Sequence, residues 1–352
     1  VVPGTATIKG NTIVEVGGEE IECRNIVIAT GSRPKIPPGL EVDGDVVVTY
    51  REAILQNDVP GDVVIIGGGA IGVEFATIYM AYGANVTIVE FEDRILPKED
   101  KEISSLLQRS LERKGLTVYV SSKATGLTKL TPEQFSLAVE TPDGTRSIPT
   151  NRVLVATGIQ ANTENLGLED LGVALDRGFI TVDDSLKTNV DNVFAIGDVT
   201  GIMPLAHVAQ AQGAYLAESL AGNNVYALDY QSMPSAVYST PQVASFGMTE
   251  QTANEQGIEH TVGRFPFLAN GKALALDEVE GLAKIITSQE TGEILGAHLI
   301  GHEVTELLGE LSLARIMEGT SLEVGAVVNA HPTLSEVVKE AALAVTGSAV
   351  HI

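Results

Sequence analysis

The chain has 352 residues, enough for two or three domains. With 22 Lys and Arg against 46 Asp and Glu, its formal net charge is −24, which excludes the basic surface of a nucleic-acid-binding protein and argues against docking on an anionic membrane. Because 44% of the residues are apolar, the chain can supply a large core and disorder is not expected.

Cys23 is the single cysteine, so an intrachain disulfide or a thiolate metal site cannot form. We expect Cys23 to be a buried strand thiol. No metal site is expected either, since His298 and His302 fall on a strand and a loop rather than on one helical face. The cysteine usage favours a cytoplasmic protein, or one of the mitochondrial matrix or a plastid in a eukaryote.

The first predicted strand covers residues 25–29 and ends in Ala-Thr-Gly, and the strand over 152–156 has the same ending. This repetition predicts two nucleotide-binding domains of one design, the second inserted in the first. A short strand over 193–196, followed by Gly-Asp, would complete the first domain.

The spacing of the inserted domain, from Gly72 to Gly158, places the glycine turn of the first domain about 55 residues before Val1. We therefore expect the sequence to lack the N-terminal part of that first domain.

A strand–turn–helix–strand unit begins at residue 62. Its predicted elements are a buried strand over 63–66, a helix over 73–80 and a second strand over 85–90. The turn between the first two, Gly67-Gly68-Gly69-Ala70-Ile71-Gly72, has the G-x-G-x-x-G spacing of dinucleotide-binding proteins.

Each glycine of that turn has a physical role. Gly67 makes the tight turn, Gly69 lets the backbone approach a pyrophosphate, and Gly72 lets the helix pack closely on the strand. Glu90, at the end of the second strand, can accept both ribose hydroxyls and repel a 2′-phosphate, so the pattern predicts NAD. Arg94 is the one nearby feature of an NADP site, and we interpret it as a solvated surface side chain.

The rest of the chain divides into two parts with different sequence patterns. A helix over 101–114, a strand over 116–120, a turn at 142–144 and the strand over 152–156 complete the inserted domain. From about Asp229 the pattern predicts a separate α+β domain, with strands over 237–246, 261–267, 283–287 and 294–300 and helices over 305–317 and 334–345.

The segment from His331 to Glu336 leaves two interpretations open. Pro332 favours an extended His331, whose imidazole could move a proton if a carboxylate fixed its tautomer. Alternatively, Thr333 and Glu336 form a capping box and His331 merely packs. The residues alone favour the second interpretation, and they leave His207 unassigned.

Taken together, these motifs resemble the class I pyridine nucleotide-disulfide oxidoreductases, and within them the lipoamide dehydrogenase branch. The resemblance spans nearly the whole chain, on residues 28–34, 67–74, 156–158, 195–198 and 330–336. It implies an α/β fold in which a Rossmann-like NAD domain is inserted in a truncated FAD domain, followed by a C-terminal α+β interface domain. The implied domains are residues 1–42 and 161–228 (FAD), 43–160 (NAD) and 229–352 (dimerisation).

The resemblance also implies the site residues. NAD would be held by Gly67, Gly68, Gly69, Ala70, Ile71, Gly72, Val73, Glu74, Glu90, Ala124 and Gly158. FAD would be held by Ala6, Thr30, Gly31, Ser32, Asp198, Ala206 and His207. On this basis His331 becomes the catalytic acid–base, oriented by Glu336 and acting across a homodimer interface.

The implied activity is the flavin-dependent oxidation of dihydrolipoamide to lipoamide, with hydride transfer to NAD⁺. Its implied partners are the lipoyl-bearing protein domains of 2-oxo acid dehydrogenase or glycine cleavage complexes. The sequence departs from the family at one point, because Cys23 matches neither position of the C-x-x-x-x-C redox pair and the FAD glycine fingerprint is absent. We therefore expect residues 1–352 alone to bind NAD, to bind FAD poorly and to be inactive towards lipoamide.

Two alternatives remain. The chain could be an NAD-binding, dimerising module without redox activity. It could also be a related flavoprotein such as an NADH oxidase or peroxidase, although those relatives lack the His-Pro-Thr segment.

Overall fold

The computed structural model describes residues 1–351, and its strands and helices are numbered here in chain order. The strands are β1 (Ala6–Gly10), β2 (Ile13–Val16), β3 (Glu19–Glu22), β4 (Ile26–Ile28), β5 (Ser32–Pro34), β6 (Val47–Val48), β7 (Asp62–Ile66), β8 (Asn85–Val89), β9 (Thr117–Tyr119), β10 (Lys123–Lys129), β11 (Phe135–Thr141), β12 (Gly144–Thr150), β13 (Arg152–Val155), β14 (Ile159–Ala161), β15 (Leu175–Asp176), β16 (Phe179–Ile180), β17 (Val193–Ala195), β18 (Ser235–Val237), β19 (Gln242–Gly247), β20 (His260–Pro266), β21 (Leu282–Ser288) and β22 (Ile294–Gly301). The helices are α1 (Tyr50–Ala53), α2 (Ala70–Ala81), α3 (Lys101–Arg113), α4 (Leu168–Leu171), α5 (Ala206–Leu220), α6 (Glu250–Glu255), α7 (Gly271–Leu276), α8 (Val304–Ile316), α9 (Ser321–Ala326) and α10 (Glu336–Val345). No helix within residues 1–351 is long and apolar enough to cross a membrane.

The chain forms two compact units, each made of two separate segments. The first unit contains residues 1–35 and 159–230, and the second contains residues 36–158 and 231–352. The predicted NAD and dimerisation domains therefore fall largely in the second unit, while the division at residues 42, 160 and 228 stays a prediction.

The first unit is built from small sheets around one apolar core. Strands β1, β2 and β3 form an antiparallel sheet, β5 pairs with β14, and β15 pairs with β16. Strand β17 runs parallel to β4, with Val193 opposite Ile26 and Ala195 opposite Ile28. The sequence pattern assigns these two distant strands to one domain, and in the structure they lie side by side.

The second unit contains a five-stranded parallel sheet in the order β6-β13-β7-β8-β9. Strand β7 has four buried residues in a row because a parallel sheet of this kind is covered on both faces. The predicted helix over 73–80 is longer than expected, since α2 begins at Ala70, directly after the glycine turn. The antiparallel sheet β10-β11-β12 is the predicted insertion, with its β11–β12 turn at residues 142–143.

The C-terminal part of the second unit is a five-stranded antiparallel sheet in the order β18-β19-β22-β21-β20. Helix α8 packs against β19 and β22, and α10 packs against β20 and β21. The prediction of one strand over 237–246 was wrong, because the chain turns back between β18 and β19, which pair with each other. Pro241 lies in that turn and has no N–H to donate to a sheet ladder.

Candidate nucleotide sites and acid–base pair

The glycine turn after β7 leaves no room for side chains at two of its positions. Gly67 has a φ of +108°, and a Cβ there would lie 2.3 Å from the carbonyl oxygen of Ala156. A Cβ on Gly72 would lie 1.9 Å from the carbonyl oxygen of Gly67. Glycine at position 67 therefore lets the turn approach the chain after β13, and glycine at position 72 lets α2 pack against the turn and strand that precede it.

Gly69 differs from these two glycines because the space beside it is open. It is the N-cap of α2, no side chain caps the helix there, and a Cβ would meet nothing within 4 Å. The N-terminus of a 12-residue helix offers N–H groups and the positive end of its dipole. The arrangement fits a pyrophosphate, with Gly68, Ala70, Ile71 and Val73 completing the predicted turn and first helical turn.

Glu90 lies just past the end of β8, and only 7% of its surface is exposed. One carboxylate oxygen accepts a hydrogen bond from the Gly68 N–H at 2.5 Å, and the other accepts one from the Glu92 N–H at 2.7 Å. Since each carboxylate oxygen has a second lone pair, both can also accept a ribose hydroxyl. The predicted acid thus lies directly against the glycine turn.

Two other residues near this site, Arg94 and Glu74, have partners within the chain. The Arg94 side chain is half-buried, and its guanidinium donates to Asp93 and to the carbonyl of Pro97. Glu74, on α2, accepts a hydrogen bond from the Tyr238 N–H at 2.9 Å, and burial raises the pKa of its carboxyl group.

Ala124 and Gly158 lie on neighbouring parts of the second unit. Ala124 is on β10 and packs against the core beneath β7 and β13. Gly158 has a φ of +106° three residues after β13, the strand next to β7.

Four of the predicted FAD residues meet in the first unit, where β4 and β17 end side by side. The Ser32 hydroxyl donates to Asp198 at 2.8 Å, and the Thr30 hydroxyl donates to the Asn162 carbonyl at 2.7 Å. Gly31, with a φ of +68°, lies between them. Asp198 belongs to a short 3-10 helix that follows β17 directly.

The remaining predicted FAD residues lie on other elements of this unit. Ala206 and His207 are the first two residues of α5, whose N-terminus is not capped by a side chain. Ala6 begins β1, in the separate three-stranded sheet. The Asp198 carboxylate can accept from the hydroxyls of a polyol chain, and the uncapped start of α5 offers N–H donors to an anionic group. These residues therefore fit part of a flavin nucleotide.

Two residues that sequence analysis missed hold this region in place. The Gln212 side chain is 1% exposed and accepts a hydrogen bond from the Gly197 N–H at 2.6 Å. Arg33 donates to the Ala161 carbonyl and to Asn162, and it pairs with Glu164. This pairing lowers the pKa of Glu164 to about 2. Arg33 lies inside the motif over residues 28–34, whereas no pattern in the sequence marks Gln212.

His331 and Glu336 form the predicted pair. The Nδ1 atom of His331 lies 3.0 Å from one Glu336 oxygen, and the other oxygen accepts from the Thr333 N–H at 2.8 Å. Burial opposes ionisation of Glu336, but the Thr333 N–H and the His331 ring outweigh it and hold its pKa below the usual range. The imidazole is anchored at Nδ1 while its side chain is 76% exposed.

The alternative capping box is only half formed. Glu336 accepts from the Thr333 N–H, as a box requires, but the Thr333 hydroxyl donates to the Ala330 carbonyl instead. The contact between Glu336 and the His331 ring shows that His331 does more than pack.

His298, His302 and Cys23 have partners other than this pair. His298 is buried, its Nε2 lies 2.9 Å from the Met248 carbonyl, and burial lowers its pKa. His302 lies 3.7 Å from Glu278. Cys23 is half-buried and follows β3 rather than lying within a strand, which corrects the prediction. Among residues 1–351, no three His, Cys, Asp or Glu side chains are grouped to hold a metal.

Comparison with known proteins places these features in a family. Residues 1–213 match the family described as pyridine nucleotide-disulphide oxidoreductase, and residues 233–342 match the dimerisation domain of the same family. The chain belongs to this family of oxidoreductases, whose members are flavin-dependent and use NAD(H).

The relatives narrow the comparison. The chain is 41% identical to the dihydrolipoyl dehydrogenase of Bacillus subtilis, over 99% of this chain and 74% of that protein. It is 45% identical to the dihydrolipoyl dehydrogenase of Rhizobium etli, over 91% of this chain and 67% of that protein.

Solved structures agree on the fold. LpdA from Mycobacterium tuberculosis is 26% identical with a TM-score of 0.87, over 96% of this chain and 75% of that one. The flavoprotein disulfide reductase RclA from Escherichia coli is 27% identical with a TM-score of 0.86, over 96% and 77% respectively.

Proposed function

We propose that the protein is a dihydrolipoyl dehydrogenase, which oxidises dihydrolipoamide to lipoamide and reduces NAD⁺. The observation that carries this proposal is the His331–Glu336 pair, an exposed imidazole held at 3.0 Å by a carboxylate whose other oxygen is fixed by a backbone N–H. The identity to dihydrolipoyl dehydrogenases along nearly the whole chain supports it.

The nicotinamide dinucleotide is proposed to bind at the glycine turn of the second unit. The uncapped N-terminus of α2 stabilises the pyrophosphate, and the open space at Gly69 lets the backbone approach it. Glu90 accepts the ribose hydroxyls and disfavours a 2′-phosphate by like-charge repulsion.

FAD is proposed to bind in the first unit through Thr30, Gly31, Ser32, Asp198 and the start of α5, with Ala6 towards the adenine. When bound, FAD supplies the two-electron chemistry between a dithiol and NAD⁺. The residues of this chain bind and orient it: Ser32 fixes the Asp198 carboxylate, and Gln212 fixes the turn at Gly197.

His331 is proposed to hold and return the proton of the dithiol. Glu336 accepts the hydrogen bond from Nδ1–H, which selects the tautomer with a free lone pair on Nε2. That nitrogen can take a thiol proton, and the ionised Glu336 stabilises the imidazolium that results. The dithiol itself is not among these 352 residues, since Cys23 is their single cysteine.

The partners follow from the same proposal. The dimerisation domain supports a homodimer. Lipoyl-bearing protein domains of 2-oxo acid dehydrogenase or glycine cleavage complexes would deliver the substrate. A cytoplasmic location agrees with the single cysteine.

The test is His331→Gln in an FAD-loaded holoenzyme that contains the redox dithiol, since residues 1–352 have only Cys23. Because general acid–base catalysis contributes about 10²–10⁴-fold, dihydrolipoamide-dependent NAD⁺ reduction should fall by that factor. NADH affinity, measured by calorimetry, should stay unchanged.

The control is His260→Gln. It removes an imidazole on β20 whose Nδ1 contacts the Ile258 carbonyl. Turnover should be normal in this variant. Unimpaired turnover in His331→Gln would contradict the proposal. NADH binding without dihydrolipoamide oxidation would also contradict it, if observed in an unmodified holoenzyme that contains the redox dithiol.

A further inference from the structure

Helix α10 holds a second histidine–carboxylate pair beside the first. Glu340 lies four residues after Glu336, so the two side chains share a helix face with Cβ atoms about 5–6 Å apart. One oxygen of Glu340 lies 2.8 Å from the Nδ1 of His351. Two carboxylates on successive turns thus bind two imidazoles, His331 and His351.

The chain after α10 folds back to make the second pair. The helix ends at Val345, and Gly347 reverses the chain with a φ of +69°. The second oxygen of Glu340 then accepts from the Val350 N–H at 2.8 Å and from the His351 N–H at 3.4 Å. A carboxylate that is 5% exposed needs such partners to remain charged, so Glu340 and the terminal segment fix each other.

The two pairs interact electrostatically. Burial opposes ionisation of Glu340, but the His351 ring and the two N–H groups hold its pKa below the usual range. The charge of His351 also helps to lower the pKa of Glu336, together with the closer Thr333 N–H and His331. Because Glu336 and Glu340 lie one helical turn apart, the imidazole bound to Glu340 is also close to the carboxylate that orients His331.

The charged groups on the elements packed against α10 are engaged elsewhere. Arg264 on β20 and Lys284 on β21 bind acidic residues at the starts of α3 and α6. Glu323 on α9 binds Thr320, and His260 on β20 contacts Ile258. Lys339 lies on α10 itself.

We propose that Glu340 and His351 are positioning residues for His331 and Glu336, setting the charge around that pair and so the pH range in which His331 exchanges a proton. The inference rests on the acid–base role proposed for His331. When His351 is protonated it compensates Glu340. Without His351, the Glu340 charge adds to that of Glu336 and favours the imidazolium form of His331.

The direct test is an NMR titration of the imidazole Cε1–H resonances, six in all, assigned by His→Gln variants. In His351→Gln, the midpoint of the His331 resonance should rise by about half a pH unit, as expected for one charge at short range in a partly exposed site. In Glu340→Gln the midpoint of the His331 resonance should fall, because a negative charge is lost. In the double variant this midpoint should lie close to its value in the unmodified protein.

A kinetic readout separates this effect from a loss of structure. The pH profile of kcat in the FAD-loaded enzyme should move in the same direction as the NMR midpoint, while KM for NAD⁺ stays constant. His260→Gln is the control, and it should move neither quantity.

The failures of the two proposals are distinguishable. A His331 midpoint that moves by less than about 0.1 pH unit in both single variants, where a nearby charge should act, overturns this inference and leaves the proposed function intact. Full turnover in His331→Gln overturns the proposed function, while the measured coupling of the two pairs still stands.

Discussion

At the scale of single residues, the candidate site depends on side chains that bind backbone groups. Glu90 and Glu336 each use one or both oxygens to fix a backbone N–H, at Gly68 and Thr333 respectively. Such bonds hold a carboxylate in one orientation before a ligand arrives, which lowers the entropy cost of binding. Both acids are thus pre-organised for the roles proposed for them.

Glu90 gives the prediction at this scale. The chain should bind NADH more tightly than NADPH, and Glu90→Gln should weaken NADH about tenfold or more, since hydrogen bonds to a charged group contribute about 1.5–3 kcal/mol. The variant should also bring the affinities for NADH and NADPH closer together, because the repulsion of a 2′-phosphate is lost. Calorimetric titration with both cofactors measures the two effects.

Glu92→Gln is the matched control for that measurement. Glu92 is an exposed acid two residues away whose backbone N–H, not its carboxylate, contacts Glu90. The Glu92→Gln variant should bind NADH and NADPH with the same affinities as the unmodified chain. Equal affinity of the unmodified chain for NADPH and NADH would contradict the assignment of Glu90.

At the scale of elements, sequence patterns predicted the strands and helices that a local run of residues determines. Strand β7 was found because its continuous apolar run lies between Asp62 and the glycine turn, as expected for a strand covered on both faces. Helices α1, α4, α6, α7 and α9 were missed because six residues or fewer cannot show a helical period, and the 15-residue α5 was not predicted either. Contacts such as Arg33 with Asn162, or Gln212 with Gly197, join separate segments and had no local signal.

A buried ion network joins elements of the second unit. Lys284 on β21 is 1% exposed and lies 2.8 Å from Asp100, 3.0 Å from Glu102 and 2.6 Å from Glu250. Asp100 also caps α3 by accepting from the Glu102 N–H. One ammonium group therefore ties the start of α3 and the start of α6 to the C-terminal sheet.

The prediction at this scale is the effect of Lys284→Met. Removing one partner of a buried ionic network leaves uncompensated charge, so the free energy of unfolding at pH 7 should fall by about 3–5 kcal/mol. Denaturant unfolding followed by circular dichroism measures it. Lys101→Met, at the exposed first position of α3, is the control and should change stability by less than about 0.5 kcal/mol.

The pH dependence of the same variant checks the cause. Burial opposes ionisation of Asp100 and Glu102, but Lys284 outweighs it together with the Glu250 N–H at Asp100 and Arg264 at Glu102, so both pKa values are lowered. A carboxyl group with a lowered folded-state pKa stabilises the fold above its unfolded pKa, and this contribution is lost as the pH falls through the folded value. The stability difference between the unmodified chain and Lys284→Met should therefore shrink below about pH 4; a constant difference would show that lost packing, not charge, is responsible.

At the scale of the whole molecule, each compact unit is assembled from segments far apart in sequence. The pairing of β4 with β17 could be predicted because both strands end in recognisable glycine motifs. The inclusion of residues 36–158 and 231–352 in one unit could not, because it depends on side chains such as Lys284 and Glu280 whose partners lie more than 100 residues away.

The last prediction concerns the surface at the end of α8 and along α9. Large apolar side chains are exposed there, namely Leu313, Ile316, Met317, Leu322 and Val328, at 62–90%. These residues lie within the segment that matches the family's dimerisation domain, so we expect a second copy of the chain to cover them. Ile316→Glu would bury a charge in that interface and should shift the protein to monomers in sedimentation or light scattering at micromolar concentration.

Leu55→Glu is the matched control for this shift, since Leu55 is also exposed, at 77%, but lies outside the dimerisation segment. It should leave the dimer intact. Because each copy has a formal net charge of −24, association brings together two strongly negative molecules, and added salt should tighten the dimer by screening their repulsion. A monomeric unmodified chain at both low and high salt, or an Ile316→Glu variant that stays dimeric, would place the interface on another surface.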